Sequence, residues 1–470
     1  MSLAQRLAWF EGLSTVGIVT AMLAISTPAG QDPTALWGIA ARASLVVLVC
    51  SAAFYFNDLY EFEAPHNLIQ LFERLCRALG SAALLLAGTY LMFPRTMIPG
   101  SSASNALLLL LGTILLVRIT VYGLAKCAPF TQRVLVLGGG SLAAELGRQI
   151  RTRSDLALTC VGFLGESETG SIAGPRLGTY RDMAHVVGQC RPDRIIVAMP
   201  DRSGDLPVAD LLACRFRGIV IEEGAQMFER LTRRLAVESL SPSALIFGGG
   251  FRASRTYVLL KRVMSVGIAA GALVIAAPFL GLIALLIKLE TTGPVFFIQE
   301  RVGLGGRIFR LIKFRTMKVR SEANGVCSET DGVRSEANGV RSEADGEIWR
   351  RDNWSRVTRV GAILRKYRLD ETPQFINILR GDMSLVGPRP EMATNVAAFS
   401  NTIPYYHLRH EVRPGLTGWA QVKAGYSMSV EEVTQKLCYD LYYVKHMSLH
   451  FDLRILFDTV KFVLSGKRPG

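Results

Sequence analysis

The sequence predicts a membrane protein in three parts: four N-terminal transmembrane helices, an α/β domain, and an α-rich C-terminal domain with a re-entrant membrane helix hairpin. Three observations predict this architecture. Long apolar runs dominate the first 130 residues, alternating strand and helix patterns follow, and a second apolar run interrupted by a proline opens the last part. A chain of 470 residues has room for three domains, which we expect at residues 1–130, 131–250 and 251–470.

The composition restricts the partners of the chain. Half of the residues are hydrophobic and the formal net charge is +14, which suits anionic lipid or phosphate-bearing substrates. A nucleic-acid partner is not expected, because the basic residues lie between long apolar runs. The eight cysteines are scattered without a C-x-x-C pair, which argues against a zinc site or a disulfide scaffold and suits a reducing, cytosolic face.

Four apolar segments predict the transmembrane region, at about residues 10–26, 35–56, 78–93 and 106–125. A membrane helix needs about 20 apolar residues, so the second and fourth segments are long enough and the other two are short. Cations lie near the N-terminus, in the middle loop and at the exit: Arg6, Arg74, Arg77, Lys126 and Arg133. The positive-inside rule then places both ends of this region in the cytoplasm. Buried helices of a soluble bundle are the disfavoured alternative.

From Arg133 the pattern predicts a Rossmann-like α/β domain. The run RVLVLGGG indicates a strand that ends in a glycine turn, and SLAAELGRQI indicates the helix after it. Gly138, Gly140 and Ala143 form a G-x-G-x-x-A motif at the right place for a dinucleotide, and Glu166 is spaced to hold a ribose. The same glycines could serve only close packing of helix on strand, so the sequence leaves nucleotide binding at this turn open.

The apolar run at residues 263–287 predicts a helix in the membrane, and a simple crossing is the default interpretation. Lys261 and Arg262 precede the run, and seven cations follow between Lys288 and Lys318. Cations on both sides favour two cytoplasmic flanks. Pro278 lies in the middle, where proline removes a helix hydrogen bond and kinks the backbone. We therefore expect a break at Pro278 and a re-entrant hairpin.

A basic strand follows this run. Lys313 and Arg315 alternate with apolar neighbours, so both side chains are expected on one face, directed toward anions. For the other cations, Arg301, Arg307 and Arg310, binding of lipid headgroups is a real alternative. Residues 319–346 are four tandem heptads with glycine at every seventh position, which predicts a low-complexity, mobile insert without a catalytic role.

The adjacent carboxylates Asp370 and Glu371 are the strongest candidates for chemistry. They precede Thr372 and Pro373, which predict a helix at residues 373–379 with Thr372 as its N-cap. The positive field of a helix start favours ionised carboxylates, which could bind a divalent cation, act as a nucleophile, or do both. Acidic residues before a helix are ordinary caps when taken alone.

Arg389 lies between Pro388 and Pro390 in the same stretch of sequence. The preceding proline has a fixed φ and the following proline keeps Arg389 extended, so the direction of its guanidinium is restricted. A fixed fork suits bidentate capture of phosphate oxygens. Taken alone, an arginine between two prolines usually lies in a surface turn. The nearby acid pair is what favours an anion-binding site here.

Four motifs in this region resemble a known family. KFRTM, LDETPQ, RGDMSLVGPRPE and RPGLTGWAQV are similar to motifs of the bacterial sugar transferases, the polyprenyl-phosphate sugar-1-phosphate transferases of the monotopic-type phosphoglycosyl transferase family. The resemblance covers about residues 255–470. The preceding half resembles large members, which add transmembrane helices and a Rossmann-like domain. The runs IPYYHLRHEVRPGLTGWAQV and KLCYDLYYVKHMSLHFDLRIL resemble members of exopolysaccharide systems.

The resemblance implies transfer of a sugar-1-phosphate from a UDP-sugar to undecaprenyl or another polyprenyl phosphate, with release of UMP, as the initiating step of exopolysaccharide assembly. It implies that Asp370 forms an aspartyl-phosphosugar intermediate and that Asp370 and Glu371 hold Mg²⁺. Phosphate and nucleotide binding is then expected of Lys313, Arg315, Arg389 and Glu391.

Nucleotide sugars and Mg²⁺ are cytosolic, so we expect a multi-pass protein of the bacterial inner membrane with its catalytic domain on the cytoplasmic face. A second copy of the chain and polysaccharide assembly proteins are further expected partners. Three alternatives are an NAD-dependent sugar-nucleotide enzyme, a non-catalytic scaffold, and a transferase that works by single displacement. The first is disfavoured, since residues 131–250 lack a Tyr-x-x-x-Lys pair.

Overall fold

The computed structural model describes the chain in several ranges. These are residue 17, three short helical pieces within 44–54, and residues 68–94, 131–153, 158–165, 174–199, 206–240, 242–318, 356–424 and 429–465. Within them the chain forms two compact units, Met1–Gly224 and Ala225–Gly470. The heptad repeats at residues 319–346 and Glu166 lie outside the described residues.

The N-terminal apolar segments are described only in part. The third coincides with helix α1 (Leu68–Met92), which begins ten residues before the predicted segment and ends one residue before its last. The first and fourth lie outside the described residues apart from Gly17, and the second is described in three short helical pieces. By length and composition, one helix of the described residues could cross a membrane, and it is Arg255–Glu290. The four-helix region therefore stays a prediction.

The first unit contains a five-stranded parallel sheet. Its elements are β1 (Gln132–Leu137), α2 (Ser141–Thr152), β2 (Leu158–Leu164), β3 (Arg176–Gly178), α3 (Met183–Cys190), β4 (Arg194–Val197), α4 (Val208–Phe216) and β5 (Val220–Glu223). The strand order is β3-β2-β1-β4-β5, the doubly wound order of dinucleotide-binding domains. The central run Val134–Leu137 is fully buried, as expected of a parallel strand covered on both faces. The predicted parallel α/β domain is confirmed.

The glycine turn after β1 is required by packing. Gly138 has a φ of +142°, and a Cβ at this position would lie 2.4 Å from the carbonyl oxygen of Ala198. Gly140 is the N-cap of α2 and has open space around it. Close approach of two backbone segments thus explains Gly138 without a ligand. Nucleotide binding at this turn stays a prediction.

The second unit is α-rich. Its helices are α5 (Gly224–Thr232), α6 (Pro242–Phe247), α7 (Arg255–Glu290), α8 (Arg359–Lys366), α9 (Gln374–Arg380), α10 (Ala393–Thr402), α11 (Trp419–Lys423), α12 (Val430–Lys445) and α13 (Leu449–Ser465). Its strands are β6 (Phe296–Val302) paired antiparallel with β7 (Ile308–Phe314), and β8 (Ser384–Val386) paired parallel with β9 (Gly415–Thr417). Its short 3₁₀ helices include Leu369–Glu371 and Tyr406–His410.

Helix α7 is continuous, so the break expected at Pro278 is not confirmed. The φ of proline suits a helix, and the apolar sequence on both sides offers the backbone no polar alternative to helical hydrogen bonds. Both ends of α7 contact the rest of the unit. Arg262 donates to the carbonyls of Ile378 and Leu379 over 2.5 and 2.9 Å, and the Glu290 carboxylate accepts from the first backbone N–H groups of α8.

A buried asparagine joins the acid-bearing segment to the basic strand. Asn377 in α9 is fully buried, accepts a hydrogen bond from the backbone of Ile312 over 3.1 Å, and donates to the Arg310 carbonyl over 2.7 Å. Both partners belong to β7. This two-way contact fixes α9 against β7 and so brings the turn before α9 toward Lys313.

Candidate active site

The acid pair lies in the 3₁₀ turn Leu369–Glu371, which begins after Arg368 in the left-handed conformation, φ 55°. Thr372 and Pro373 are already helical, and α9 follows directly. The predicted N-cap is therefore wrong. The Thr372 hydroxyl donates to the Leu369 carbonyl over 2.6 Å and accepts no backbone N–H, because the 3₁₀ turn supplies helical geometry one turn earlier.

Glu371 is bonded to the predicted anion-binding arginine. Nη2 of Arg389 donates to Oε1 of Glu371 over 2.8 Å, and the Glu371 side chain is 16% exposed. Burial alone would raise the pKa of Glu371. The charge and hydrogen bond of Arg389 outweigh burial and hold this pKa below its ordinary value. Glu371 is thus an ionised carboxylate whose charge is largely balanced.

The pKa of Asp370 is shifted in the opposite direction, upward. Burial raises its pKa, the neighbouring Glu371 charge raises it further, and Lys313 opposes both. The two adjacent carboxyls are therefore distinct: one is tied to an arginine and the other is the more basic. Pairs of carboxyls whose environments separate their pKa values take different roles in catalysis.

Lys313 lies on β7 close to both acids. Burial lowers its pKa to about 8, with further lowering by the charges of Arg301 and Arg389, while Asp370 and Glu371 act in the other direction. Its Nζ lies 5.1 Å from the centre of the Phe297 ring. The lysine thus interacts with four charged groups in a confined site, where its charge interacts more strongly than in water.

A small cleft gathers these groups. Three cations and one carboxylate lie among its lining residues, which are Arg301, Leu311, Lys313, Glu371, Gln374, Arg389, Pro390 and Gly415. Asp370 is not among them and directly precedes Glu371. An excess of cationic side chains in a cleft suits a phosphate or diphosphate.

Arg315 is not brought to this cleft. The residue is 6% exposed, and its guanidinium donates to the carbonyls of Thr292 and Thr291 and to the Thr291 hydroxyl, over 2.9, 3.1 and 2.7 Å. The alternation predicted a shared face with Lys313, but Arg315 is not among the residues that line the cleft. This arginine holds the turn between α7 and β6.

Glu391 and Arg301 lie together beside the cleft. Oε2 of Glu391 is 3.7 Å from Nη1 of Arg301, and its backbone carbonyl accepts from the Val302 N–H over 2.9 Å. The sequence left Arg301 open between anion binding and lipid headgroups, and Gln374, which is 5% exposed and lines the cleft, was missed. The LDETPQ motif contains this glutamine one helical position after Pro373, which was the available signal.

The side chains present would suit a magnesium ion that is held by only one or two protein carboxylates. Among the described residues there is no group of three or more His, Cys, Asp or Glu side chains that could hold a metal. Mg²⁺ in phosphate-transfer sites is held by one or two carboxylates, with the remaining positions taken by water and substrate phosphate. Asp370 and Glu371 provide two adjacent carboxylates, the second shared with Arg389.

The site therefore consists of a carboxylate pair beside a cationic cleft, on a unit with one helix long and apolar enough to cross a membrane. The family model described as bacterial sugar transferase matches residues 256–466. The chain belongs to the bacterial sugar transferase family. The resemblance seen in the four motifs is confirmed.

Three relatives show the extent of the similarity. A protein of Aeromonas hydrophila named UDP-N-acetylgalactosamine-undecaprenyl-phosphate N-acetylgalactosaminephosphotransferase is 41% identical over 256 residues, 54% of this chain and 55% of that protein. A Caulobacter vibrioides protein named UDP-glucose:undecaprenyl-phosphate glucose-1-phosphate transferase is 43% identical over 209 residues, which are 44% of this chain and 70% of that protein. An Escherichia coli protein of the same name is 30% identical over 336 residues, which are 70% of this chain and 68% of that protein. The match thus spans about half of the Aeromonas protein, 55%.

Proposed function

We propose that the chain transfers a sugar-1-phosphate from a UDP-sugar to polyprenyl phosphate and releases UMP, as the initiating step of exopolysaccharide assembly. One observation carries the proposal: two adjacent carboxyls with opposite pKa shifts lie beside a cleft lined by three cations. The names of the relatives support it, since all three give a UDP-sugar and undecaprenyl phosphate as substrates.

In the first step, a carboxylate oxygen of Asp370 attacks the phosphorus that bears the sugar. A bond forms between this oxygen and phosphorus, and the bond from phosphorus to the bridging oxygen of the diphosphate breaks. UMP leaves with the electron pair of that bond, and the enzyme retains an aspartyl-phosphosugar. The raised pKa of Asp370 supports this role, because a more basic oxygen is a better nucleophile once ionised.

In the second step, an oxygen of polyprenyl phosphate attacks the same phosphorus and the bond to Asp370 breaks. The carboxylate is restored and the lipid diphosphate sugar is the product. Two half-reactions suit an enzyme at a membrane surface, because the soluble donor product departs before the lipid acceptor reacts.

Charge on the diphosphate must be balanced while these bonds change. Arg389 donates to Glu371, the charge of Lys313 acts on both acids, and Arg301 lines the same cleft. Glu371 keeps Arg389 directed at the cleft before substrate arrives. Asp370 and Glu371 would hold Mg²⁺, which when bound neutralises diphosphate charge.

We place the catalytic unit on the cytoplasmic face with α7 re-entrant. Arg262 and Glu290, near the two ends of α7, both bond to the same folded unit, while Val274 and Ile275 between them are about three-quarters exposed. A straight crossing would put these ends on opposite sides of about 30 Å of hydrocarbon. Because α7 is helical throughout, entry and return on one side would require a bend within the helix, for which Pro278 is the candidate; contact of both ends with one folded unit supports this placement.

The proposal is tested by UMP release. Purified protein is incubated with Mg²⁺, undecaprenyl phosphate and either UDP-glucose or UDP-N-acetylgalactosamine, the donors named for the relatives. We expect UMP with at least one donor, together with a labelled lipid product. Hydride transfer with NAD and no UMP would support a sugar-nucleotide oxidoreductase. No reaction with a wider panel of UDP-sugars would support a non-catalytic scaffold.

A further inference from the structure

The backbone that bears Arg389 has an unusual shortage of donors. Pro388 and Pro390 have no N–H, so the tripeptide is fixed mainly through its carbonyl oxygens. All three of them accept a hydrogen bond. Pro388 accepts from the Gly415 N–H over 2.9 Å, Arg389 from Nη2 of Arg409 over 3.0 Å, and Pro390 from Nη1 of Arg301 over 3.2 Å.

Arg409, which holds the central carbonyl, is itself tightly fixed. Its side chain is 6% exposed, Nη2 also donates to Oδ2 of Asp440 over 2.8 Å, and Nη1 donates to the Tyr406 hydroxyl over 2.8 Å. Asp440 is 2% exposed and belongs to α12, whereas Tyr406 begins the 3₁₀ turn that contains Arg409. Two separate elements therefore set the plane of this guanidinium.

A buried ion pair gains little net stability over a well-packed apolar pair, since desolvation offsets the attraction. Orientation is what such a pair adds. Here the oriented group is a planar fork that donates from one nitrogen to both Asp440 and the Arg389 carbonyl. Neither Arg409 nor Asp440 is among the residues that line the cleft, so the pair acts on the cleft through Arg389.

We propose that Arg409, held by Asp440 and Tyr406, is a positioning residue that fixes the Arg389 backbone and so aims the Arg389 guanidinium at Glu371 and the cleft. The inference rests on the proposed transfer reaction, because its effect is read as transfer activity. The Arg389 side chain is 39% exposed, so its direction depends on the backbone behind it more than on side-chain packing.

The test replaces both members of the ion pair. Arg409→Met with Asp440→Leu removes both charges at similar volume and leaves no unpaired buried charge. We expect a melting temperature within about 3 °C of wild type. With the UDP-sugar that supports UMP release, kcat/KM should fall about 30-fold or more, whereas in an Arg389→Ala background the same two substitutions should change it less than about threefold.

A matched control is the ion pair of Lys445 and Glu229 in the same unit. Nζ of Lys445 lies 2.7 Å from Oε2 of Glu229, and the two side chains are 18% and 10% exposed. Lys445→Met with Glu229→Gln should leave kcat/KM within about twofold of wild type in both backgrounds. A purely structural role of Arg409 predicts equal losses with and without Arg389. Equal losses, or full activity of the folded double variant, overturn the proposal.

Tyr406→Phe covers the case in which the double variant fails to fold. It removes only the hydroxyl that accepts from Arg409 and keeps the ring. We expect about a fivefold loss in kcat/KM in the wild-type background and none in the Arg389→Ala background, and equal losses overturn the proposal. Absence of UMP release from the wild type itself is a different result, which rejects the proposed function.

Discussion

The Arg389 guanidinium donates to the Glu371 carboxylate over 2.8 Å, although the two residues are 18 positions apart. This bond joins the proline-bounded turn to the acid pair. It also separates the two carboxyls, because Glu371 is held ionised by Arg389 while burial and the Glu371 charge raise the pKa of Asp370. One arginine thereby distinguishes the paired carboxylate of Glu371 from that of Asp370, the proposed nucleophile.

Loss of this bond should weaken transfer strongly. We expect Arg389→Ala to lower kcat/KM about 100-fold, and Arg389→Lys to recover only part of it, because an ammonium cannot reproduce the planar fork. Steady-state kinetics of both variants and of Glu371→Gln give a double-mutant cycle with a coupling of about 1–2 kcal/mol. Strictly additive losses would show that the two side chains act independently.

The lowered pKa of Lys313 predicts how kcat/KM changes at alkaline pH. Its pKa is lowered to about 8, so the free enzyme loses this positive charge as the pH rises through that value. If the charge binds donor phosphate, kcat/KM should fall above about pH 8, since this parameter reports groups of the free enzyme. Lys313→Arg keeps its charge and should remove the alkaline fall. A profile unchanged by this substitution contradicts the assignment.

Arg315 should affect stability and not donor binding. Arg315→Met leaves the carbonyls of Thr291 and Thr292 without their donor, which should cost about 1–3 kcal/mol of unfolding free energy. We expect a lower melting temperature by differential scanning fluorimetry in detergent, with KM for the UDP-sugar within about twofold of wild type. An increased KM at an unchanged melting temperature would place Arg315 in the donor site after all.

The re-entrant placement of α7 predicts which cysteines an external reagent reaches. In a cysteine-free background, Lys288→Cys should resist a membrane-impermeant maleimide applied to intact cells, because the end of α7 would lie in the cytoplasm. Ser102→Cys, in the loop predicted to face outward, is the matched positive control. Efficient labelling at position 288 would show that α7 crosses the bilayer.

Local sequence chemistry predicted part of the molecule well. The run RVLVLGGG predicted a strand that ends in a glycine turn, and β1 is that strand, in the parallel sheet of the predicted α/β domain. The acid pair and Arg389 were recognised because they fall in one short stretch, and the structure brings Glu371 and Arg389 into contact. Both features depend on residues that are close together in the chain, so a single sequence is enough to predict them.

Long-range contacts were beyond the sequence. Arg301 reaches the cleft through the register of β6 with β7 and through Pro390, 89 positions away. Arg409 meets Asp440 across 31 positions, and no local pattern marks either residue. The alternation along β7 did not reveal that the Arg315 guanidinium bonds to Thr291 and Thr292. Registers and strand ends are set by tertiary packing.

The most direct test of the account is whether Asp370 forms a bond to phosphorus. Purified enzyme is incubated with its UDP-sugar in the absence of lipid acceptor and analysed by mass spectrometry under denaturing conditions. We expect a phosphosugar adduct on the peptide containing Asp370 in wild type, and neither adduct nor turnover in a folded Asp370→Asn variant. Normal consumption of donor by Asp370→Asn would contradict the account.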